Sequence, residues 1–440
     1  MKQLDPGAVI DAAPLSGLQW SVMVLCTLII VLDGFDVQAI AFTGPAIAEQ
    51  WALGGSHMGP VFAAGLAGMT LGALAVGPLG DRFGRKLALT GSVAAFGLFT
   101  LLTAWAQNFE QLMILRLLTG IGLGGALPNA TALMTEYAPQ RLRNMAIAII
   151  FLGIPIGGIT GGLLSAQLIP AFGWPSVFVA GGLAPLALVP VLWWVLPESV
   201  NFLVRRGTGQ RERVARLLHR IDPAVRIDAD TELVLHEPAK TGFPVSRLFD
   251  PGYAADTVKL WAVFFTNLMA VYFLISWIPS LLVDAGFGIE KATLTAVVLN
   301  LGGVVGPLVL AGLVARLGSR LAISGFFVLA SISIAVVGRL EHSLDLLMVG
   351  VFAAGFFTFG AQISINALAA SMYPTDTRST GVGWALGIGR LGSILGPVLG
   401  GVLIGLQLGM PTYFTLFGSL LLVAAVMLFL IRRQQPPVRG

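Results

Sequence analysis

Apolar segments of about twenty residues recur along the whole chain, with short polar breaks between them. A helix needs about 20 consecutive apolar residues to cross a bilayer. Charged residues make up 11% of the 440 residues, whereas a typical soluble protein has about 25%. The pattern therefore predicts an all-α membrane protein with twelve transmembrane helices. The predicted spans are roughly 18–42, 58–79, 87–106, 110–135, 144–168, 174–196, 258–283, 292–315, 320–339, 344–371, 379–405 and 409–431.

The placement of lysine and arginine predicts the orientation, because these residues accumulate in cytoplasmic segments. With the N-terminus in the cytoplasm, the outer segments hold only Lys291 and Arg339. Two arginines lie inside spans, and the rest of the 26 lysines and arginines lie in cytoplasmic segments. We therefore expect both termini and the central loop in the cytoplasm. The isoelectric point of about 9.5 follows from this topology and does not indicate nucleic-acid binding.

Residues 197–257 form the one long hydrophilic segment, and they separate six spans from six. We expect an N-terminal six-helix half at 1–196, a cytoplasmic linker, and a C-terminal six-helix half at 258–440. Within the linker, the run RERVARLLHRI (211–221) has apolar residues at helical spacing. This spacing predicts a short amphipathic helix on the inner surface.

The two halves repeat one another weakly. GDRFGRKLALTG (80–91), between spans 2 and 3, matches VARLGSRLAISG (314–325), between spans 8 and 9. Repeats of this kind are typical of transporters whose halves move about a substrate site near the membrane midplane. The repeat predicts two pseudo-symmetric six-helix halves.

Two aspartates, Asp33 and Asp36, interrupt the first span in the run LIIVLDGFDVQAIAF. They share one helix face, since residues three apart are neighbours. A carboxylate in hydrocarbon is costly unless it is protonated or paired. We therefore interpret them as proton-coupling residues. Asp33 is the better candidate because it lies deeper, whereas Asp36 is the one that could instead face the outer water.

Arg116 in span 4 is the predicted partner of these aspartates. At 1.5 Å per residue, Asp36 lies about 24 Å, and Arg116 about 22 Å, above the inner ends of their spans. A buried arginine at that depth requires an anion. Pairing with Asp33 or with Asp36 is open, and so is a purely structural role for the pair.

Arg390 in span 11 is the deep charge of the second half, about 16 Å from the inner end of its span. No acidic residue of that half lies deep enough to pair with it. A guanidinium binds a carboxylate through two parallel hydrogen bonds. We favour an anionic substrate as its partner over a salt bridge to an aspartate of span 1.

Polar and aromatic side chains inside the spans are candidates for the rest of a substrate site, because a small aromatic ligand needs stacking surfaces and a few hydrogen bonds. Ordinary packing is the alternative for the aromatic members. The candidates are Gln362, Asn366, Tyr272, Trp277, Asn300, Asn129 and Trp384.

The cytoplasmic loops carry candidate gating residues. The loop GPLGDRFGRK (77–86) joins spans 2 and 3, and its charges can pair with each other and with helix ends. The segment EYAPQRLRN (136–144) follows span 4 and adds an acid and a base. In the second copy of the first loop, Ala315 stands where the acid would be, so we expect a gate in the first half only. The candidates are Asp81, Arg82, Arg85, Glu136 and Arg143.

Several of these motifs together resemble the aromatic acid:proton symporter family of the major facilitator superfamily. They are DGFD (33–36), the loop at 77–86, GLGGALPNATALMTEYAP (122–139), PES (197–199) and YPTDTRSTG (373–381). The resemblance implies uptake of hydroxybenzoate-like, benzoate-like or phenoxyacetate-like anions with protons across a bacterial inner membrane. It also implies functional roles for Asp33, Asp36, Arg116, Asp81, Arg85 and Arg390.

The expected function is thus proton-coupled import of a small aromatic carboxylate by a monomer that needs no cofactor. A transporter of non-aromatic organic acids or sugars is one alternative, and a membrane receptor for aromatic acids is another. An enzyme is disfavoured, because the chain has no cluster of His and Cys, no nucleophile–base pair and no metal-ligand spacing. It has no ATP-binding loop motif either, so an ion gradient would have to drive transport.

Overall fold

The structure is a computed structural model that describes residues 2–225, 231–235, 245–250, 252–340, 343–374 and 377–431. Nearly all of the regular structure is α-helical. The helices are α1 Pro6–Ala12, α2 Gly17–Gln50, α3 Met58–Phe83, α4 Arg85–Thr103, α5 Phe109–Tyr137, α6 Gln140–Phe172, α7 Pro175–Val195, α8 Val200–Arg205, α9 Arg211–Ile221, α10 Ala254–Asp284, α11 Ile289–Leu317, α12 Ser319–Val337, α13 Leu344–Met372, α14 Arg378–Gly405 and α15 Met410–Phe429.

Twelve of these helices, α2–α7 and α10–α15, are long and apolar enough to cross a membrane. They confirm the twelve predicted spans. The largest difference is at α2, which continues through Pro45 to Gln50 instead of ending near residue 42. Proline is tolerated there because neighbouring helices in a bundle can satisfy the freed backbone groups.

The predicted amphipathic helix is α9. Val214, Leu218 and Ile221 form its buried face, and α9 packs against α1 and α8. Beside it, strands β1 Lys2–Leu4 and β2 Thr231–Leu233 pair in parallel, which the sequence did not indicate. Three-residue strands have too short a pattern to be recognised, and this pairing joins segments far apart in the chain.

The contacts of the chain group it into two compact units. Unit 1 comprises Met1–Val37, Ala67–Gly157 and Phe178–Ala239, and unit 2 comprises Gln38–Leu66, Gly158–Val177 and Lys240–Gly440. Four of the five boundaries fall within α2, α3, α6 and α7, and the fifth lies between residues 239 and 240. The predicted division into halves at the linker stays a prediction.

Glycine allows close contact of helices in unit 1. A Cβ added at Gly34 would overlap the Ile154 carbonyl oxygen, and one at Gly157 would overlap the Val31 carbonyl oxygen. Helices in a bilayer associate through such small residues, because they gain little from apolar burial alone. Gly34 therefore explains why a glycine separates the two acidic positions of the first span.

In unit 2, α14 packs along α10 in the same way. Added Cβ atoms at Gly392 and Gly396 would overlap carbonyl oxygens of α10. The next residue, Pro397, accepts a hydrogen bond of 2.9 Å from the indole Nε1 of Trp277. The Gly396–Pro397 doublet thus has a packing role at the α10–α14 contact.

Candidate functional site

A buried ion pair joins α2 to α5 in unit 1. The Nη1 atom of Arg116 lies 3.2 Å from Oδ2 of Asp36, and the exposed fractions of the two side chains are 3% and 0%. Of the two pairings that the sequence left open, this is the one with Asp36. The depth estimate agrees with this pairing, although it did not distinguish Asp36 from Asp33, which lies one turn away.

Three threonine hydroxyls surround the guanidinium of Arg116. The Nη2 atom donates to Thr119 at 2.9 Å, to Thr103 at 3.3 Å and to Thr100 at 3.4 Å. The hydroxyl of Thr100 also donates to Oδ1 of Asp36. On another side, the guanidinium carbon lies 5.1 Å from the ring centroid of Phe178, close enough for a cation–π contact.

These contacts explain how the pair tolerates burial. Removing two charges from water costs several kcal/mol per ion, and mutual attraction offsets this only when further hydrogen bonds satisfy the remaining atoms. Thr100 bridges the two partners, so it satisfies acid and base together. The sequence did not indicate the threonines, because threonine in a membrane helix commonly bonds to its own backbone, as Thr27 does with Met23.

The second aspartate, Asp33, is also buried, with an exposed fraction of 2%. The alternative in which Asp36 faces the outer water does not fit this structure, because Asp36 has no exposed surface. The position of Asp36 along the predicted span suggested a place near the outer end, but α2 is longer than expected and extends to Gln50. Both carboxylates lie inside the protein.

The predicted gating residues come together only in part. Arg85 lies 3.4 Å from Asp81 and 3.0 Å from Glu136, so the loop between α3 and α4 is joined to the end of α5. The other carboxylate oxygen of Glu136 accepts from the Ser199 hydroxyl at 2.5 Å. Ser199 in turn caps α8 by accepting from the Phe202 backbone N–H at 3.0 Å.

Glu198, which the sequence interpretation did not name as a site residue, completes this loop cluster. Its Oε1 accepts from the backbone N–H groups of Lys86 at 3.1 Å and Ser199 at 2.9 Å. A Cβ at Gly84, whose φ is +107°, would overlap the same carboxylate. Glu198 and Ser199 belong to the PES run at 197–199, and this motif is the feature of the sequence that could have identified them as site residues.

Three predicted residues lie outside these clusters. Arg82 is exposed beside the ring of its neighbour Phe83. Arg143 lies 3.9 Å from Asp11 of the N-terminal segment, so it binds α1 and not the loop cluster. Asn129, predicted to bind substrate, is buried against Gly80 of α3, with its Nδ2 bonded to the Gly125 carbonyl.

Unit 2 contains a polar layer formed by α10, α13 and α14. Nδ2 of Asn267 donates to Oε1 of Gln362. One turn along α13, Oδ1 of Asn366 is buried without a hydrogen-bond partner in the described residues. Arg390 is half-buried on α14, and within the described ranges its side chain forms no hydrogen bond or ion pair. Asn267 was missed because a single amide in a span carries no spacing signal.

The other predicted substrate residues differ in their surroundings. Tyr272 is half-buried on α10. Trp277 is fully buried, with its ring edge on Phe62 and its indole donor used by Pro397, so here it is a packing residue. Trp384 is 43% exposed and stacks on Trp261.

Asn300 forms a reciprocal amide pair with Gln38, and both side chains are buried. Nδ2 of Asn300 donates to Gln38 at 2.8 Å, and Nε2 of Gln38 donates back at 3.1 Å. Gly158 of α6 leaves room for the pair, because a Cβ there would overlap both amides. Asn300 therefore holds α2 and α11 together in unit 2.

Twelve helices that are long and apolar enough to cross a membrane, with buried charges and amides among them, define a multi-span membrane protein. The chain belongs to the Major Facilitator Superfamily, whose family model matches residues 26–341 and 295–440.

Curated relatives extend over almost the whole chain. A gallate transporter of Pseudomonas putida is 43% identical over 418 residues, which are 95% of this chain and 92% of that protein. The 4-hydroxybenzoate transporter PcaK of Pseudomonas aeruginosa is 42% identical over 396 residues, covering 90% and 88%. A crystal structure of a D-xylose–proton symporter shares the fold, with a TM-score of 0.75 at 15% identity over 94% of this chain and 98% of that one.

We predict that Thr119→Val destabilises the protein by about 1.5–3 kcal/mol, since Arg116 loses its shortest hydroxyl contact and stays buried and charged. Denaturant titration of the detergent-solubilised protein measures the change in the free energy of unfolding. Thr27→Val is the matched control, because its hydroxyl bonds only to the Met23 carbonyl of its own helix. Equal losses in both variants would contradict the proposed importance of the threonine contacts.

Proposed function

We propose that the chain imports a small aromatic carboxylate together with a proton, by alternating access, across a bacterial inner membrane. The named activities of the relatives support the substrate class, since they transport gallate and 4-hydroxybenzoate. The observation that carries the proton coupling is the buried pair of Asp36 and Arg116 with its threonine contacts.

The pair is suited to proton coupling because the strength of the interaction between Asp36 and Arg116 depends on whether Asp36 carries a proton. Protonation of Asp36 cancels the carboxylate charge and replaces an ion pair with an ordinary hydrogen bond. The hydrogen bonds from Arg116 to Thr103 and Thr119 do not involve Asp36, so they do not require its charge. Asp33 is a second buried carboxylate one turn away, so a proton has two positions within the same part of α2.

The substrate carboxylate is assigned to Arg390. Its guanidinium has no protein partner in the described residues, and an arginine is well shaped for two-point binding of a carboxylate. Gln362 and Asn366 lie on the neighbouring α13 and supply hydrogen-bonding groups. In this proposal α2, α4 and α5 handle the proton, and α10, α13 and α14 hold the anion.

The loop cluster of Asp81, Arg85, Glu136, Glu198 and Ser199 acts as the cytoplasmic gate. Its ion pairs are partly exposed, and exposed pairs contribute about 0–1 kcal/mol each. They can therefore break and re-form during transport. Both termini lie in the cytoplasm, and a monomer is the working unit.

The decisive experiment is uptake of labelled aromatic acids by the purified chain in proteoliposomes with an imposed pH gradient, acidic on the outer side. We expect an aromatic acid to accumulate inside the proteoliposomes, and we expect a protonophore to abolish this accumulation. Uptake of sugars or aliphatic acids instead would overturn the aromatic assignment. Binding without accumulation would favour a receptor.

We predict that Asp33→Asn abolishes accumulation driven by the pH gradient, because asparagine cannot exchange a proton. The same proteoliposome assay measures it, with exchange of labelled for unlabelled substrate as the readout of binding and movement. Asp345→Asn, at the exposed first turn of α13, is the control. Accumulation by the Asp33 variant that still depends on pH would refute its role.

We predict that Arg390→Lys weakens apparent substrate affinity about tenfold or more, since an ammonium cannot match the two-point geometry of a guanidinium. Concentration dependence of uptake gives KM. Arg316→Lys changes an exposed arginine at the end of α11 and should leave KM as it is. An unchanged KM for the Arg390 variant would remove it from the substrate site.

A further inference from the structure

The side-chain amides of Asn267 and Gln362 are joined by a hydrogen bond. Each amide keeps one further polar atom, and these two atoms are the unused ends of the pair. Nδ2 of Asn267 donates to Oε1 of Gln362, and Asn267 has no exposed surface. Its Oδ1 is buried without a hydrogen-bond partner in the part of the chain that the structure describes. Nε2 of Gln362 likewise donates to no described residue. A buried amide oxygen without a partner is unfavourable, so this pair points to a ligand.

The unused ends are one donor and one acceptor, whichever way the amides are turned. As placed, the acceptor is Oδ1 of Asn267 and the donor is Nε2 of Gln362. If both amides are rotated by half a turn, the donor lies on Asn267 and the acceptor on Gln362. A hydroxyl donates and accepts at once, so it complements the pair in both arrangements. An ether oxygen only accepts, and a methyl group does neither.

The pair lies at the level of the proposed anion site. Gly389 of α14 packs against Phe264 and Leu268 of α10, which lie on either side of Asn267 along the helix. Arg390 is the next residue after Gly389. Position 390 of α14 and the amide pair therefore lie at the same level of unit 2, on adjacent helices.

We propose that the Asn267–Gln362 pair binds a ring hydroxyl of the substrate, and thereby selects hydroxylated aromatic acids over unsubstituted ones. The inference rests on the proposed import of aromatic carboxylates, with Arg390 at the carboxylate. Contacts at both ends of the ring fix its orientation. Asn267 is then a specificity-determining residue on α10.

Transport by the full chain in proteoliposomes tests this with the three monohydroxybenzoates, the corresponding methylbenzoates and methoxybenzoates, and benzoate itself. A site built to bind a hydroxyl discriminates against analogues that lack it, because its polar groups are then left unpaired. At least one hydroxybenzoate should exceed its methyl and methoxy counterparts by about tenfold or more in kcat/KM.

Asn267→Leu and Gln362→Leu should each reduce this preference to about threefold or less, because leucine cannot form a hydrogen bond with a ring hydroxyl. Thr266→Val is the matched control on α10, since the Thr266 hydroxyl bonds mainly to the Ala262 carbonyl of its own helix. That variant should keep the full preference.

Three results would overturn the inference: no preference in the unchanged chain, a preference that survives both leucine substitutions, or an equal loss of uptake for every acid in both variants at normal membrane levels. In the first two, uptake of aromatic acids would continue and the proposed function would stand. Absence of uptake for all the acids in the unchanged chain would refute the proposed function itself.

Discussion

Hydrocarbon offers no hydrogen-bond partner to a polar group, and this constraint shapes every level of the structure. It requires helical backbone through all twelve spans. It also requires that polar side chains within the spans find partners in the protein. The two terminal nitrogens of Arg116 meet this demand with one carboxylate and three hydroxyls, whereas its Nε has no partner among the described residues. Asn300 meets the demand with the reciprocal amide of Gln38.

The same constraint separates structural polar groups from candidates for function. Gln38 and Asn300 satisfy each other and hold two helices together. Asn267 and Asn366 each keep a buried oxygen that no described residue satisfies. A buried polar atom without a partner is unfavourable, and this observation supports the proposed substrate site in the polar layer of α10, α13 and α14. The loop cluster of Asp81, Arg85 and Glu136 lies outside this rule, since its ion pairs are partly exposed.

The pattern of the sequence predicted the spans to within a few residues for most helices, because apolar length is a local property. It also placed Asp36 and Arg116 at matched depths, because rise per residue converts position into height. It did not indicate Thr100 or Thr119. A threonine in a helix can bond to its own backbone or reach a neighbour, and only the rotation of adjacent helices decides between them.

Aromatic residues show the same limit. Trp277 and Tyr272 lie in one span and were equivalent as candidates, yet the first is enclosed by packing and bonds Pro397, whereas the second is half-buried. Sequence alone determined that the chain crosses the membrane in twelve helices and carries charges at their centre, since hydrophobic length and charge are properties of the chain. Tertiary structure decided which partners those charges have, because that depends on which helix faces meet and how closely glycine lets them approach.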